Sequence, residues 1–241
     1  MFSTFFSGLL DLLAPANCPA CGLPVDEDGA PPGAAGLCPA CAPLIETAPS
    51  GRLPPAVNAA ICLYQGPLAD AVRRFKYADE RHLLRHLAPL LSAAAPAYAG
   101  RIDVVVPVPL HPRKLRERGW NPAALLARPL AAALGVPLRS SWLERARETA
   151  VQAGLSREAR VQNVRGAFRA KQAAPQRVLL VDDVRTTGAT LLEAASCLER
   201  RGHSVSTLAL AWSLPDPDDA LPGVDLGAGD NTVRARRALA V

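Results

Sequence analysis

The segment that most constrains the fold of this chain spans residues 178–190 and reads VLLVDDVRTTGAT. Its first four residues, 178–181, form an unbroken apolar run, which is typical of a short strand buried on both faces of a parallel sheet. Asp182 and Asp183 follow at the carboxyl end of that strand. In open α/β sheets, ligands bind beyond the carboxyl ends of the strands. The segment therefore predicts an α/β fold with two carboxylates at its ligand-binding edge.

The residues after the acid pair have the composition of a phosphate-binding loop. They are Thr186, Thr187, Gly188, Ala189 and Thr190. A helical pattern then runs from about Thr190 to Arg201 and ends at Gly202. Backbone N–H groups at the start of a helix favour a phosphate. A phosphate on this loop and vicinal hydroxyls on the paired carboxylates describe a ligand such as ribose 5-phosphate.

An apolar strand that ends in acids has a second interpretation, the Walker B segment of a nucleotide hydrolase. Such an enzyme also needs a G-x-x-x-x-G-K-[ST] loop, and no Gly-Lys dipeptide occurs in the 241 residues. Residues 178–190 instead closely resemble the 5-phosphoribosyl-1-pyrophosphate (PRPP) motif of type I phosphoribosyltransferases. The resemblance implies that Asp182 and Asp183 are the catalytic acids and contact the ribose 2- and 3-hydroxyls. It also implies that the loop 186–190 binds the 5-phosphate.

The charge of the chain is unevenly distributed. The net charge is +5, but residues 61–214 alone carry +11, while residues 1–60 carry −4 and residues 215–241 carry −2. The positive segment contains the predicted phosphate loop. Such a field attracts polyphosphate ligands and would equally suit nucleic acid. A hydrophobic content of 49% with 20% charged residues indicates a globular protein.

Four cysteines form two Cys-x-x-Cys pairs, Cys18 with Cys21 and Cys38 with Cys41, separated by sixteen residues. Two such turns can complete a closed tetrahedral zinc site. The segment between them is rich in glycine and proline and offers little core, so metal would supply its folding free energy. Two disulfides or a redox site are the alternatives. A reducing cytosol disfavours the disulfides, and the lack of a βαβ context disfavours the redox site, so we predict structural zinc.

Five segments follow from these patterns. They are an amphipathic N-terminal helix (1–15), the zinc ribbon (16–47), a proline-rich linker (48–56), the phosphoribosyltransferase-like domain (57–214) and a disordered tail (215–241). The first segment either packs on the chain's own body or meets a partner or membrane surface. No apolar run approaches the ~20 residues that span a bilayer. The first segment also lacks the basic leading region of a secretion signal, so we expect a cytoplasmic protein.

Within the main domain, strand-like and helix-like patterns alternate, which predicts a parallel sheet. The strand patterns are Asn58–Tyr64 and Arg101–Val106, and the helix patterns are Gly66–Tyr77, Glu80–Ala95 and Asn121–Leu134. Residues 142–169 are expected to form two short strands around a long polar loop. Long loops in compact domains often cover active sites, and this one contains Arg160.

A second candidate ligand segment follows the strand that ends near Val106. A rigid turn, Pro107-Val108-Pro109-Leu110, leads into a basic loop from Arg113 to Asn121 that includes Arg118. A basic loop alone is typical of a solvated surface. Beside the acid pair it predicts a pyrophosphate site, because guanidinium groups bind phosphate oxygens two at a time. Lys76, one of only three lysines, is either a ligand residue or an exposed helix-end lysine.

Several motifs together resemble the ComF/GntX family. In order they are the two Cys-x-x-Cys pairs, Tyr64-x-Gly66, Phe75-Lys76-Tyr77, Pro107 to Leu110, Arg118 to Asn121, Gln152 to Asn163 with Gly166-Ala-Phe168, and Asp182 to Thr190. The resemblance covers about residues 10–214 and implies a zinc ribbon fused to a phosphoribosyltransferase-like domain. It implies PRPP contacts from Lys76, the turn 107–110, Arg118, Asn121, Arg160 and the loop 186–190, with Mg²⁺ accompanying PRPP. It further implies a role in natural transformation, on incoming single-stranded DNA, beside helicase-like and recombination proteins.

The chain departs from the family pattern at two places. The family usually has Phe-Asn-Gln where this chain has Trp120-Asn121-Pro122, and it commonly has Ile or Val where this chain has Arg185. The latter places an extra cation after the acid pair, which would either strengthen phosphate binding or clash with it.

Three hypotheses of function therefore stand. The protein is a PRPP-binding competence factor, an active phosphoribosyltransferase acting on a base or other nucleophile, or a DNA-binding or scaffold module with a vestigial phosphate site. An aromatic content of 5% disfavours a stacking platform for single-stranded DNA. Contact with DNA would then be mainly electrostatic.

Overall fold

The computed structural model of the protein describes residues 17–23, 25, 37–48, 59–148 and 157–214. The predicted helix 1–15, nearly all of the linker 48–56 and the tail 215–241 lie outside these ranges, and the predictions for them stay predictions.

A parallel four-stranded sheet forms the centre of the described domain. Its strands are Ala59–Leu63 (β1), Val104–Pro107 (β2), Arg177–Arg185 (β5) and Ser204–Trp212 (β6), in the order β1-β6-β5-β2. Leu143–Arg145 (β3) and Phe168–Ala170 (β4) form a separate antiparallel pair. Residues 178–181 are completely buried, as expected for a central strand covered on both faces. The predicted parallel-sheet α/β fold is confirmed.

Seven α-helices lie within the described ranges. They are Gly66–Tyr77 (α1), Leu84–Ser92 (α2), Ala95–Tyr98 (α3), Pro112–Arg118 (α4), Pro122–Leu134 (α5), Arg157–Val164 (α6) and Ala189–Glu199 (α7). Short 3₁₀ turns occur at Ala42–Leu44 and Arg81–Leu83. None of the described helices is long and apolar enough to cross a bilayer.

Helices cover both faces of the sheet because β5 is apolar on both. Leu179 and Val181 pack with side chains of α1, α2 and α5 in one core cluster. Val178 and Leu180 pack with α7 and the β3–β4 pair in the other. Successive residues of a strand point to opposite faces, so the unbroken apolar run serves both clusters.

Two helical predictions differ from the structure. The predicted helix Glu80–Ala95 is divided into the turn Arg81–Leu83, α2 and the short α3. The predicted basic loop is the helix α4. Its local sequence explains the helix: Pro112 occupies the first turn, the His111 ring accepts a hydrogen bond from the Arg113 amide, and Gly119 ends the helix in the left-handed conformation.

The segment after the second cysteine pair joins the main domain. The Ala48 amide donates to the Ile61 carbonyl at 2.9 Å, and the Leu63 amide donates to the Glu46 carbonyl at 2.8 Å. This short stretch therefore runs antiparallel beside β1. Ile45 packs against both the main core and the cysteine cluster, so the described part of the ribbon lies directly on the domain.

Candidate functional site

The acid pair lies where β5 ends, as predicted. Asp183 is 8% exposed, and Asp182 is partly buried. The Asp183 amide donates to Asp182 Oδ1 at 2.9 Å, and the Val184 amide donates to Asp183 Oδ1 at 2.6 Å. These bonds fix both carboxyl groups relative to the backbone at the edge of the sheet.

Lys76, in the last turn of α1, forms an ion pair with Asp183. Its Nζ lies 3.1 Å from Asp183 Oδ1, and the two side chains are 18% and 11% exposed. Burial lowers the pKa of Lys76, but the charges of Asp183, Tyr77 and Asp182 outweigh it, so the pKa is raised above its usual value. Lys76 is therefore a charged, mostly buried ammonium group, and its interpretation as an exposed helix-end lysine is wrong.

The two carboxyl groups do not ionise independently. Burial, followed by the charge of Asp183, raises the pKa of Asp182 to about 8. Two adjacent carboxylates in a site of low polarity share a proton in this way. At neutral pH Asp182 is therefore largely protonated, and Lys76 pairs with Asp183.

The predicted phosphate loop turns the chain from β5 into α7. Gly188 has φ = 79° and occupies the N-cap of the helix, a conformation that residues other than glycine rarely adopt. Thr187 Oγ1 accepts a hydrogen bond from the Ala189 amide at 3.4 Å. The N-terminus of α7, an eleven-residue helix, therefore lies at the same sheet edge as the acids, where its dipole favours an anion.

The turn Pro107–Leu110 runs beside the acid pair, as the strand order requires. Pro107 pairs with Val181, and the Val108 amide donates to the Val181 carbonyl at 2.8 Å. Asn121 holds this turn: its Nδ2 donates to the Val108 carbonyl at 2.9 Å, while its Oδ1 caps α5 by accepting from the Ala123 amide at 3.1 Å. Both ends of the Asn121 amide thus bind the chain's own backbone.

Two motifs that the sequence analysis treated separately pack against each other. Phe75 and Trp120 have ring centroids 4.7 Å apart, and the Arg118 guanidinium lies 5.0 Å from the centre of the Tyr77 ring. Trp120 Nε1 also donates to Asp79 Oδ1 at 3.2 Å. The end of α1 therefore packs against the end of α4 and the residues that follow it. Sequence spacing carried no signal for this contact.

The two departures from the family pattern have structural explanations. Trp120 adds the indole bond to Asp79, which a phenylalanine would lack. Arg185 pairs in register with Trp212 of β6, and its guanidinium lies 4.1 Å from the centre of that indole ring. Burial lowers the pKa of Arg185. The Arg185 guanidinium therefore stacks on Trp212, the last residue of β6.

The sequence analysis missed Arg145, on β3. Burial lowers its pKa, and the charge of Asp182 opposes that effect. Its guanidinium lies 5.5 Å from the centre of the Phe168 ring. Among 24 arginines no pattern distinguishes this one, because its position depends on the pairing of β3 with β4. Arg160 belongs to α6, but its side chain lies outside the described part of the structure.

The four N-terminal cysteines converge as predicted. Their Sγ atoms all lie within 4.8 Å of one another, and Cys21 Sγ is 3.7 Å from Cys38 Sγ. Zinc–sulfur bonds of about 2.3 Å in a tetrahedron place sulfur atoms about 3.8 Å apart. All six cysteines of the chain are free thiols. The group fits a closed four-sulfur metal site, which is structural because no ligand position remains for chemistry.

The pKa values in the cysteine group are shifted in different directions: that of Cys18 is lowered, whereas those of Cys21 and Cys41 are raised. Burial raises the pKa of Cys18, but hydrogen bonds from the backbone of Cys21, Cys38 and Ala20 outweigh that effect and lower it to about 6. A thiolate is the form that binds zinc.

No family model matches the chain, but individual proteins do. DNA utilization protein YhgH of Salmonella typhi is 34% identical over 191 residues, covering 77% of this chain and 78% of that protein. Competence protein F of Haemophilus influenzae is 37% identical over 149 residues, covering 58% of this chain and 65% of that protein.

The chain belongs to the YhgH and competence protein F family. Competence protein ComFC of Bacillus subtilis is a more distant relative of this YhgH-type chain, 28% identical over 150 residues and covering 62% of this chain and 60% of that protein. Among solved structures, adenine phosphoribosyltransferase of Thermoanaerobacter pseudethanolicus is similar with a TM-score of 0.35 and 21% identity, covering 56% of this chain and 72% of that one.

Proposed function

We propose that this member of the YhgH and competence protein F family binds PRPP or ribose 5-phosphate, together with Mg²⁺, at the carboxyl edge of its sheet. The observation that carries the proposal is the mostly buried Lys76–Asp183 ion pair at the edge of the sheet where the turn 107–110 and the loop 186–190 also lie. Lys76 would have two roles. Without ligand it neutralises Asp183, and with ligand it would face the phosphates while the ribose hydroxyls bind Asp183.

Each part of the ligand has a matching part of the site. Asp182 and Asp183 accept hydrogen bonds from the ribose hydroxyls, and the loop 186–190 binds the 5-phosphate. The turn 107–110 and Arg118 face the pyrophosphate, with Lys76 beside them. Mg²⁺ would bridge ligand oxygens and waters, because it retains much of its hydration and takes few direct protein ligands.

Transfer of phosphoribose is the alternative enzymatic function of the same site. The bond between ribose C1 and the pyrophosphate oxygen would break, and a bond from C1 to the nucleophile would form, with pyrophosphate leaving as the anion. Lys76 and the α7 N-terminus would stabilise the negative charge on the phosphates. Release of pyrophosphate in the presence of common nucleobases, measured with a coupled phosphate assay, separates transfer from binding alone.

Calorimetric titration with PRPP and Mg²⁺ tests the proposed ligand. We expect saturable heat for the wild type and at least 10-fold weaker binding for Lys76→Gln, because the substitution leaves Asp183 without its cation. Lys171→Gln is the matched control, since Lys171 is an exposed lysine that pairs with Glu144, away from the acid pair. Absence of heat in the wild type would refute the ligand, and equal weakening by both substitutions would refute the role of Lys76.

Single-stranded DNA is a second candidate ligand, and a separate cleft favours it. A cavity of about 560 Å³ lies between β4 and the end of α7, with Arg169, Lys171, Arg200 and Arg201 in its lining against the single carboxylate of Glu144. These groups lie at the far end of α7 from the phosphate loop. Phe168 in the same lining is buried, so the cleft suits backbone phosphates more than stacked bases. The positive charge of residues 61–214 supports the same mode of contact.

Fluorescence anisotropy with a labelled oligo(dT) tests this second ligand. Lys171→Glu with Arg201→Glu should weaken binding at least 10-fold and reduce its salt dependence, because about two phosphate contacts are lost. Arg128→Glu with Arg139→Glu changes the net charge equally, on other exposed positions. Equal losses in the two double variants would refute the cleft as the contact surface.

A cytoplasmic role beside helicase-like and recombination proteins belongs to this same proposal.

A further inference from the structure

The last turn of α1 presents four consecutive side chains to four different parts of the protein. Arg74 contacts the cysteine segment, Phe75 packs on Trp120 in the core, Lys76 pairs with Asp183, and Tyr77 lies under Arg118. Successive residues of a helix are rotated by about 100°, so one turn reaches all these surroundings. The ligand site and the cysteine cluster are therefore connected through a single helical turn.

Arg74 makes the connection to the cysteine cluster. Its Nη1 donates to the Pro19 carbonyl at 2.9 Å, and Pro19 lies inside the first Cys-x-x-Cys turn. Its Nε and Nη2 bind the two oxygens of Glu80 at 2.9 and 2.5 Å. The hydrogen bond to Glu80 raises the pKa of Arg74. A guanidinium held in this bidentate way keeps a fixed orientation, which makes it a rigid link.

The opposite end of α1 also lies on the cysteine segment. An added Cβ at Gly66 would lie 3.9 Å from the Leu44 carbonyl oxygen, and Ile45 packs in both the main core and the cysteine cluster. Both ends of the helix therefore depend on the position of that segment. The segment itself has a small core of Leu37 and three of the cysteines, Cys18, Cys38 and Cys41, so metal would fix the Pro19 carbonyl in place.

We propose that Arg74 is a positioning residue that couples metal occupancy of the cysteine cluster to ligand affinity at the acid pair. Metal in the cluster fixes the Pro19 carbonyl, Arg74 transmits that position to the last turn of α1, and Lys76 is thereby held against Asp183. Coupling between two binding sites is reciprocal, so the phosphoribosyl ligand must also retain the metal. The inference rests on the proposed function, because it requires that ligand to bind.

Competition for zinc at equilibrium with a chromogenic chelator measures the coupling from the metal side. For the wild type we expect the zinc affinity to be about 5-fold higher with saturating PRPP and Mg²⁺ than with Mg²⁺ alone. Arg74→Met keeps the apolar stem and removes the donors, so it should bind zinc more weakly and show no effect of PRPP. Arg73→Met is the matched control, because Arg73 is exposed and binds Asp70 and the Ala69 carbonyl within its own helix.

Calorimetry measures the same coupling from the ligand side. Removal of zinc from the wild type should weaken PRPP binding by the same factor of about 5, whereas zinc-loaded Arg74→Met should bind as weakly as the stripped wild type. Arg74→Lys retains one donor and should recover part of the effect. Far-UV circular dichroism verifies that each variant is folded.

The outcomes separate the two proposals. If the zinc-loaded wild type binds no PRPP, the proposed function fails. If PRPP binds with equal affinity to the zinc-loaded and stripped wild type, the coupling is overturned while the proposed function stands. If Arg73→Met abolishes the coupling as Arg74→Met does, the assignment to Arg74 is wrong.

Discussion

At the scale of single residues, the protonation state of Asp182 depends on the groups that surround it. Asp182 alone would be an ordinary carboxylate, but burial and its neighbour raise its pKa to about 8. The residue types at this position were predictable from sequence, since an apolar strand followed by two acids is a strong pattern. Their electrostatics were not predictable from sequence, because Lys76 lies 107 positions from Asp183 in the chain and only the fold brings the two together.

Asp182→Asn should change the pH dependence of stability. In the unfolded chain an aspartate has a pKa near 3.9, so between about pH 4 and 8 the folded protein binds more protons than the unfolded one. Stability of the wild type therefore falls as pH rises through that window. The variant lacks this titration. Its free energy of unfolding relative to the wild type should therefore rise by about 1 kcal/mol or more between pH 5 and 8, as measured by urea denaturation.

The control for this prediction is Glu199→Gln, which removes an exposed carboxylate at the end of α7. It should follow the wild-type profile. Parallel profiles for the wild type and Asp182→Asn would show that the pair does not share a proton.

At the scale of elements, sequence pattern predicted most of the sheet and the longer helices but not their contacts. The bounds of α1 agree with the predicted Gly66–Tyr77. The two short strands predicted for 142–169 are β3 and β4, of which β4 ends one residue beyond that range. The helix α4 was not predicted, because its many charged residues obscure any apolar period. The signals for its two ends are single residues, His111 and Gly119. The contact between the end of α1 and Trp120 depends on tertiary packing, which no local pattern encodes.

Trp120→Phe should measure the polar part of that contact. The phenyl ring can still pack on Phe75, but the hydrogen bond to Asp79 is lost, so we expect a loss of about 1 kcal/mol in urea denaturation. Trp120→Ala also creates a cavity and should cost about 3–5 kcal/mol. In a double-mutant cycle with Asp79→Ala, the effects of Trp120→Phe and Asp79→Ala should be less than additive. Additive effects would show that the indole bond contributes nothing.

At the scale of the whole molecule, the two core clusters of the main domain are formed without the four N-terminal cysteines. The cysteine cluster is a third, small core joined to the domain by Ile45, Arg74 and the short antiparallel stretch beside β1. The zinc site was predictable because its ligand spacing lies in the sequence. The surface on which the cluster docks was not, since it is made by residues far along the chain.

Removal of zinc should therefore unfold the ribbon and leave the main domain folded. We expect one zinc per chain by metal analysis. After chelation, calorimetry should show the main transition shifted by less than about 4 °C, which corresponds to about 1 kcal/mol in a domain of this size. Limited proteolysis should then cleave before β1, and added zinc should restore protection. Loss of the main transition on chelation would show that the domain depends on the metal for its fold.

The four-way arrangement at the end of α1 also limits how this helix can change during evolution. A substitution in α1 alters one of the four contacts, but insertion or deletion of a single residue before Arg74 turns the whole last turn by about 100°. All four side chains would then face the wrong surroundings at once, and no single compensating substitution could restore them. The length of α1 should consequently be fixed among functional relatives, even where its exposed residues vary freely.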